Sequence, residues 1–284
     1  MNFETLRAFS IFAETLNFTH AADRLHISQP ALHVKVQELA RSLNVALYVR
    51  QGRRLTLTDK GLELARFARE IEDRVADFGA EFREEKSALP VVLAAGQGAY
   101  LYLLGPSIQR YRGSLKLLTH DGESCLEAVR NGIAHLGVAA LERPPEGLGS
   151  QLLAEIGSVL VVKARTRLAR RDPLELSDLE GLTLVVAPAH RPHRQVLAAA
   201  LQNAGVNWHV GVEAHGWELM LHFVKLGLGA AVVNSFCSLP PGLVSRPLRG
   251  LPKIRYYAFW RRGYLRPEAE QLRLCLGTTV EPGE

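Results

Sequence analysis

A multidomain α/β protein with a winged helix-turn-helix at its N-terminal end is the fold predicted by three features of this 284-residue chain. Two short helix signals joined by a tight turn lie within residues 17–43. A basic, glycine-bearing hairpin follows, and then a long helix with a narrow apolar stripe. From about residue 88 onward, apolar strand runs alternate with amphipathic helix patterns, which predicts parallel sheets covered on both faces. The expected domains are 1–58 for the winged helix-turn-helix and 59–87 for a linker and dimerisation helix. Residues 88–284 form an α/β half of two subdomains, one of about 88–162 with 264–284 and the other of about 163–263.

Composition permits this plan. Hydrophobic residues make up 47% of the chain and charged residues 22%, ordinary values for a globular protein. No apolar run approaches the ~20 residues of a membrane span, and no signal-peptide pattern opens the chain. The three cysteines, Cys125, Cys237 and Cys275, are odd in number and far apart, which suits a reducing cytoplasm. The net charge of +5 is a poor guide to nucleic acid, because residues 1–60 carry 8 basic and 5 acidic residues while residues 61–86 carry 5 and 8. The argument for DNA rests on the local motif.

Taken in order, Asn2 is placed to cap a first helix to about residue 16, with Leu6, Phe9, Ile11, Phe12 and Ala13 apolar. Asn17 caps a second helix of about two turns, and the run breaks at His26-Ile27. Ser28 caps a third, with Pro30 in its first turn, where a missing N–H costs nothing. Leu32, Val36, Leu39 and Leu43 recur at the spacing of one buried face, opposite Pro30, His33, Val34, Gln37 and Arg41. The small pair Ala21-Ala22 lets the third helix approach. This arrangement either puts its last helix into a major groove or is a plain helical hairpin. Runs 45–50 and 55–57 flank Gln51-Gly52-Arg53-Arg54, a hairpin with a basic tip that reads as a wing or as a solvated turn. Thr58 caps a helix from Asp59 to about Lys86. Its Leu64, Ala68, Ile71, Val75, Phe78 and Phe82 step alternately by four and three, the seam of a short coiled coil. A second copy of the chain is the simplest partner for that seam, and packing on its own α/β half is the other.

Residues 1–86 resemble the N-terminal module of the LysR-type transcriptional regulators. The resemblance rests on Leu6, Phe9, Ala13-Glu14, Asn17-Phe18-Thr19, Ala21-Ala22, Arg24-Leu25 and Ser28-Gln29-Pro30-Ala31-Leu32. It continues through Leu39, Leu47-Tyr48, Arg50, Arg53, Leu55-Thr56, Thr58 and Gly61. The chain departs from the family where His33 stands for Ser or Thr, Val34 for Arg, Ala40 for Glu and Asn44 for Gly. The first two lie on the reading face and bear on the operator sequence. The resemblance implies a DNA-binding regulator, a homodimer or homotetramer, with a two-subdomain effector domain similar to periplasmic solute-binding proteins. RNA polymerase is a candidate partner.

The α/β half is read as strands at 91–95, 115–119, 135–139, 157–163, 182–187, 209–213, 229–233 and 254–260. Helices are read at 98–111, 123–131, 194–204, 217–226 and 267–276. Open α/β sheets bind ligands beyond the carboxyl ends of strands, where helix N-termini offer free N–H groups. Four such ends would converge if the subdomains face each other. They contribute Gln97, Gly98, Ala99 and Tyr100; Ser124; His190, Arg191, His193 and Arg194; and His215 and Trp217. The expected effector is a small anion, a carboxylate, held by the two arginines and the end of a helix, with Tyr100 and Trp217 as apolar walls and the histidines as donors. A bulky neutral molecule is the competitor.

For DNA, Gln29 can pair with adenine, Pro30 and Val34 can touch thymine methyls, and His33 can donate to a base. Thr19, Ser28, Lys35, Arg50, Arg53 and Arg54 are expected on phosphates. Enzyme signals are weak. Gly96-Gln97-Gly98 starts like a dinucleotide fingerprint, but Leu101 replaces its third glycine. His190, His193 and His215 lack a supporting cysteine for a metal, so neither a metal nor another cofactor is expected. Cys125, at a predicted helix start, has no nearby partner for a redox switch. The expected function is a cytoplasmic, non-enzymatic, sequence-specific regulator of transcription tuned by its effector. The alternative is a small-molecule-binding protein or enzyme in which residues 1–86 only oligomerise.

Overall fold

Capping side chains set the boundaries of the first three helices. The computed structural model describes residues 2–52, 54–83 and 89–277. Helix α1 (Phe3–Thr15) starts where Asn2 accepts from the Thr5 amide. Helix α2 (Phe18–Leu25) starts where Asn17 accepts from the amides of Thr19 and His20, and α3 (Gln29–Leu43) where Ser28 accepts from Ala31. Each ends on a non-glycine residue in the left-handed region, Leu16, His26 and Asn44. Phe9, Phe12, Ala21, Ala22, Leu32, Val36 and Leu39 form their common core. Leu43 does not join it. It is 38% exposed, and Leu47, on the returning chain, fills the core instead.

The hairpin pairs β1 (Tyr48–Gln51) with β2 (Arg54–Leu57), Gln51 opposite Arg54. Its first strand begins later than the apolar run at 45 suggests, because the Val45 amide is tied to the Ala40 carbonyl at the end of α3. Helix α4 (Asp59–Phe82) starts at the Thr58 cap. Gly61 lets it cross the wing, since a Cβ there would lie 1.9 Å from the Leu47 carbonyl oxygen. The expected helix end at Lys86 and the expected boundary at residues 87 and 88 lie outside the described residues.

The seam of α4 divides in two. Leu64 and Ala68 face inward, Leu64 against the winged domain. Ile71 is half-buried, while Val75, Phe78 and Phe82 are 49%, 67% and 81% exposed. The polar side of the same helix lies on the α/β half. Arg69 donates to the Asn131 carbonyl at 2.6 Å, Asp73 meets His135 at 3.2 Å, and Asp77 receives Arg266 and the Tyr264 hydroxyl. The reading that this helix packs on its own α/β half is thus realised through charges, and the apolar stripe is left free.

The α/β half has two sheets. The first, in order β4-β3-β5-β12-β6, contains β3 (Val91–Ala95), β4 (Leu115–Thr119), β5 (Leu136–Ala140), β6 (Leu148–Ile156) and β12 (Ile254–Arg261). The second contains β7 (Ser158–Lys163) between β10 (Ala231–Asn234) and β11 (Leu243–Pro247), with the parallel pair β8 (Thr183–Val186) and β9 (His209–Glu213) attached through a bridge from Leu184 to Ala230. The expectation of parallel sheets holds for β3 with β4 and β5, and for β8 with β9. Strands β7 and β12 run antiparallel to their neighbours because they are where the chain crosses between subdomains. The subdomain boundaries move accordingly. The first crossing falls at Gly157, so 158–162 belongs to the second subdomain, and β12 belongs to the first. Strands β6 and β11 were not anticipated. The expected helix at 98–111 is two, α5 (Gln97–Tyr102) and α6 (Gly105–Arg110), broken where Pro106 starts a new first turn. The other helices are α7 (Gly122–Arg130), α8 (Pro192–Asn203), α9 (Trp217–Leu226) and α10 (Pro267–Gly277).

Candidate nucleic-acid interface and effector cleft

At the start of α3 the buried face is locked in the core, so the opposite face must point outward. Ser28, Gln29, Pro30 and Val34 are exposed, as is Thr19 at the start of α2, and Lys35 is half-exposed. Gln29 has its amide clear of the protein's own hydrogen bonds among the described residues. His33 is drawn inward. Its ring meets Phe18 edge-on at 5.0 Å, and Nε2 lies 3.4 Å from the Tyr48 hydroxyl and 3.5 Å from the Gln37 amide. It braces the helix against the wing more than it offers a donor to a base. On the wing, Arg50 and Arg54 are exposed, and Arg50 Nε donates to the Gly52 carbonyl at 3.1 Å. Arg53 lies outside the described residues.

The cleft between subdomains is narrow. The backbone of Gly98 seats the indole of Trp217, with a Cβ at Gly98 falling 3.1 Å from Trp217 Nε1, and Gln97 Oε1 lies beside Gly216. Arg191, at the start of α8, stands close enough to Asp121 for its charge to help hold that carboxyl below the usual range, although bonds to Ser124 are the main cause. His190 and His215 face each other with ring centroids 6.2 Å apart. Helices α8 and α9 begin without a side-chain cap, whereas α7 is plugged by Asp121, which accepts from the Ser124 amide at 2.9 Å.

Four expected cleft residues are placed otherwise. Ala99 is buried, and the Tyr100 hydroxyl donates to the Leu93 and Leu118 carbonyls, so both belong to the first subdomain's core. Arg194 turns away from the cleft and lies over the Trp208 ring at 4.3 Å. Arg191 is the extended N-cap of α8 while Arg194 lies inside the helix, so the same-face rule for helical residues three apart does not hold for this pair. His193 packs edge-on against Trp217 at 4.6 Å, and burial pushes its pKa down to about 4. It stays neutral at neutral pH and is not a charged donor to an anion. Cys125 is a buried thiol pushed up to about 12 by burial, the opposite of a reactive one.

Sequence reasoning missed the contacts that close the cleft. The Tyr102 hydroxyl donates to Glu218 at 2.5 Å, Tyr102 stacks on Phe236, and Asn234 donates to the Tyr256 hydroxyl at 3.1 Å. The available signal was a tyrosine just past the flagged loop and a glutamate in the first turn of a helix.

A family model described as "LysR substrate binding domain" matches residues 86–280, and one described as "Bacterial regulatory helix-turn-helix protein, lysR family" matches residues 3–62. A "Probable RuBisCO transcriptional regulator" of Cyanophora paradoxa is 30% identical over 244 residues, covering 81% of this chain and 75% of that protein. The "HTH-type transcriptional regulator TtuA" of Agrobacterium vitis is 26% identical, covering 99% of this chain and 98% of that protein. Among solved structures, a full-length OxyR variant from Pseudomonas aeruginosa superimposes with a TM-score of 0.74 at 22% identity over 97% of this chain and 95% of the other. Full-length CbnR in complex with its target DNA gives 0.61 at 20% identity over 97% and 99%.

Proposed function

The chain belongs to the LysR family of bacterial helix-turn-helix transcriptional regulators, and from that membership we propose which residues read DNA and what the effector domain accepts. The protein is a DNA-binding regulator of transcription and not an enzyme. Gln29, Pro30 and Val34 read bases, while Thr19, Ser28, Lys35, Arg50, Arg53 and Arg54 hold phosphates. The observation that carries this is the exposed first turn of α3, whose other face is fixed in the core. The test is a gel shift with the DNA flanking the protein's own gene. Preference over random duplex of equal length is expected, and equal binding would reject the reading.

The effector is a small carboxylate in the cleft. It is held by Arg191 with His190, His215 and the uncapped start of α8, and its apolar part lies against Trp217. Support comes from the exposed Arg191 at the uncapped start of α8, where the nearby Asp121 carboxyl is held chiefly by Ser124. Calorimetry with each acid against its amide tests it. Equal affinities, or no loss on Arg191→Ala, would exclude the anion. The free stripe of Val75, Phe78 and Phe82 pairs with a second copy, giving a dimer or a dimer of dimers. No described helix is long and apolar enough to cross a membrane, and the protein works in the cytoplasm beside DNA and RNA polymerase.

A further inference from the structure

Between α4 and the first subdomain lies a cavity of about 520 Å³ that neither DNA reading nor the cleft employs. Four guanidinium groups line it, Arg66 from α4, Arg130 from α7, and Arg261 and Arg262 at the end of β12. Three carboxylates line it as well, each with a closer cation outside the lining. Glu63 binds Lys60 at 2.8 Å, Glu70 binds Arg74 at 2.9 Å, and Glu146 faces Arg143 at 3.8 Å. Among the described residues, none of the four lining arginines has a carboxylate within ion-pair distance. Burial, and to a lesser degree the charge of Arg66, work against the charged form of Arg261, while Glu70 and Asp73 favour it. Arg69, one turn further along α4, is opposed by burial and by Arg261 and supported by Glu14 and Glu72, and its Nε is buried without a partner. The four lining guanidiniums outnumber the three lining carboxylates, and two of them, Arg66 and Arg261, are partly buried, so a bound anion would add to their compensation.

We propose that this cavity is a second ligand site, selective for a small organic polyanion carrying two or more phosphate or carboxylate groups. Guanidinium forks match both groups bidentately. The volume falls in the range of small-molecule sites, and the exposed ring of Phe67 on its wall suits the carbon part of such a ligand. The ligand would bridge Arg66 of the linker helix to Arg261 of the effector half. It would thereby set how firmly the helix that carries the DNA-reading head is held.

The test is titration calorimetry on the full chain at constant ionic strength, with inorganic pyrophosphate and citrate as probes. Wild-type protein should bind at least one of them saturably. Arg66→Gln and Arg130→Gln, at half-exposed and exposed positions that spare the core, should each weaken it about tenfold, the loss of one charged contact. Arg167→Gln, at an exposed position of the second subdomain outside both sites, should leave it unchanged. Thermal melts of both variants confirm folding. Tighter pyrophosphate would point to a phosphate ligand, and tighter citrate to a polycarboxylate. The proposal is overturned if neither probe saturates, if both variants bind as wild type does, or if duplex DNA displaces the probe and so claims these arginines for its own backbone.

Discussion

Gln29 and His193 show how one side chain's surroundings decide its use. Gln29 sits exposed on the first residue of a capped helix, so its amide can meet an adenine edge. We predict that Gln29→Ala lowers discrimination between operator and random DNA by about 1–3 kcal/mol, the value of a bidentate base contact. Anisotropy titrations with both duplexes read this as a ratio, and an unchanged ratio would remove Gln29 from base reading. His193 is held neutral by burial, with its pKa moved from an ordinary 6.5 to about 4. Between those values the unfolded chain binds the proton and the folded one does not, so stability falls as pH is lowered through that window. From pH 7 to pH 5 the loss attributable to His193 is on the order of 2 kcal/mol. His193→Phe, which keeps a ring against Trp217, should shrink the difference between urea midpoints at those two pH values. An undiminished difference would mean that other groups cause the acid loss.

At the scale of elements, α4 has two faces with different jobs. Its charged face is docked on the α/β half, and its last apolar positions are bare. Substituting Val75→Glu and Phe78→Glu together places like charges at the bare stripe, where a second copy would bring them face to face. Because both positions are already exposed in the single chain, the fold should survive. Sedimentation should then show a smaller assembly, with operator binding weakened in parallel. Wild-type sedimentation would assign dimerisation to another surface.

At the scale of the whole molecule, a buried charge cluster is among the contacts that join the DNA-reading half to the effector half. Arg266 is 1% exposed and grips Asp77 at 2.9 and 3.1 Å, while Tyr264 donates to the same carboxylate at 2.8 Å. Arg74 lies over the Tyr264 ring at 4.3 Å and closes the cluster. Removing one partner of a buried pair leaves the other charge poorly compensated, at a cost of about 3–5 kcal/mol. Asp77→Ala should therefore lower stability by that order in chemical denaturation and loosen α4 from the first subdomain, visible as faster amide exchange along 69–77. A variant with wild-type stability and exchange would show that the clamp is incidental.

The sequence by itself determined what depends on neighbours along the chain. The caps Asn2, Asn17, Ser28 and Thr58, the buried stripe of α3, the basic hairpin and the helix at 217–226 follow from local hydrogen bonding and period. So did the alternation of strands and helices that marks the effector half, without β6, β11 and the break between α5 and α6, and the family that the motif residues indicate. Only the tertiary structure decided which strands share a sheet, because apolar strands such as β7 and β12 look alike until the chain is seen to cross between subdomains. It also decided that Tyr100 and Arg194 turn from the cleft, that His33 braces the wing, and that Asp77 meets Arg266 across 189 residues. Spacing along a helix fixes which residues share a face. What that face meets depends on contacts between residues distant in sequence, and no local pattern encodes those.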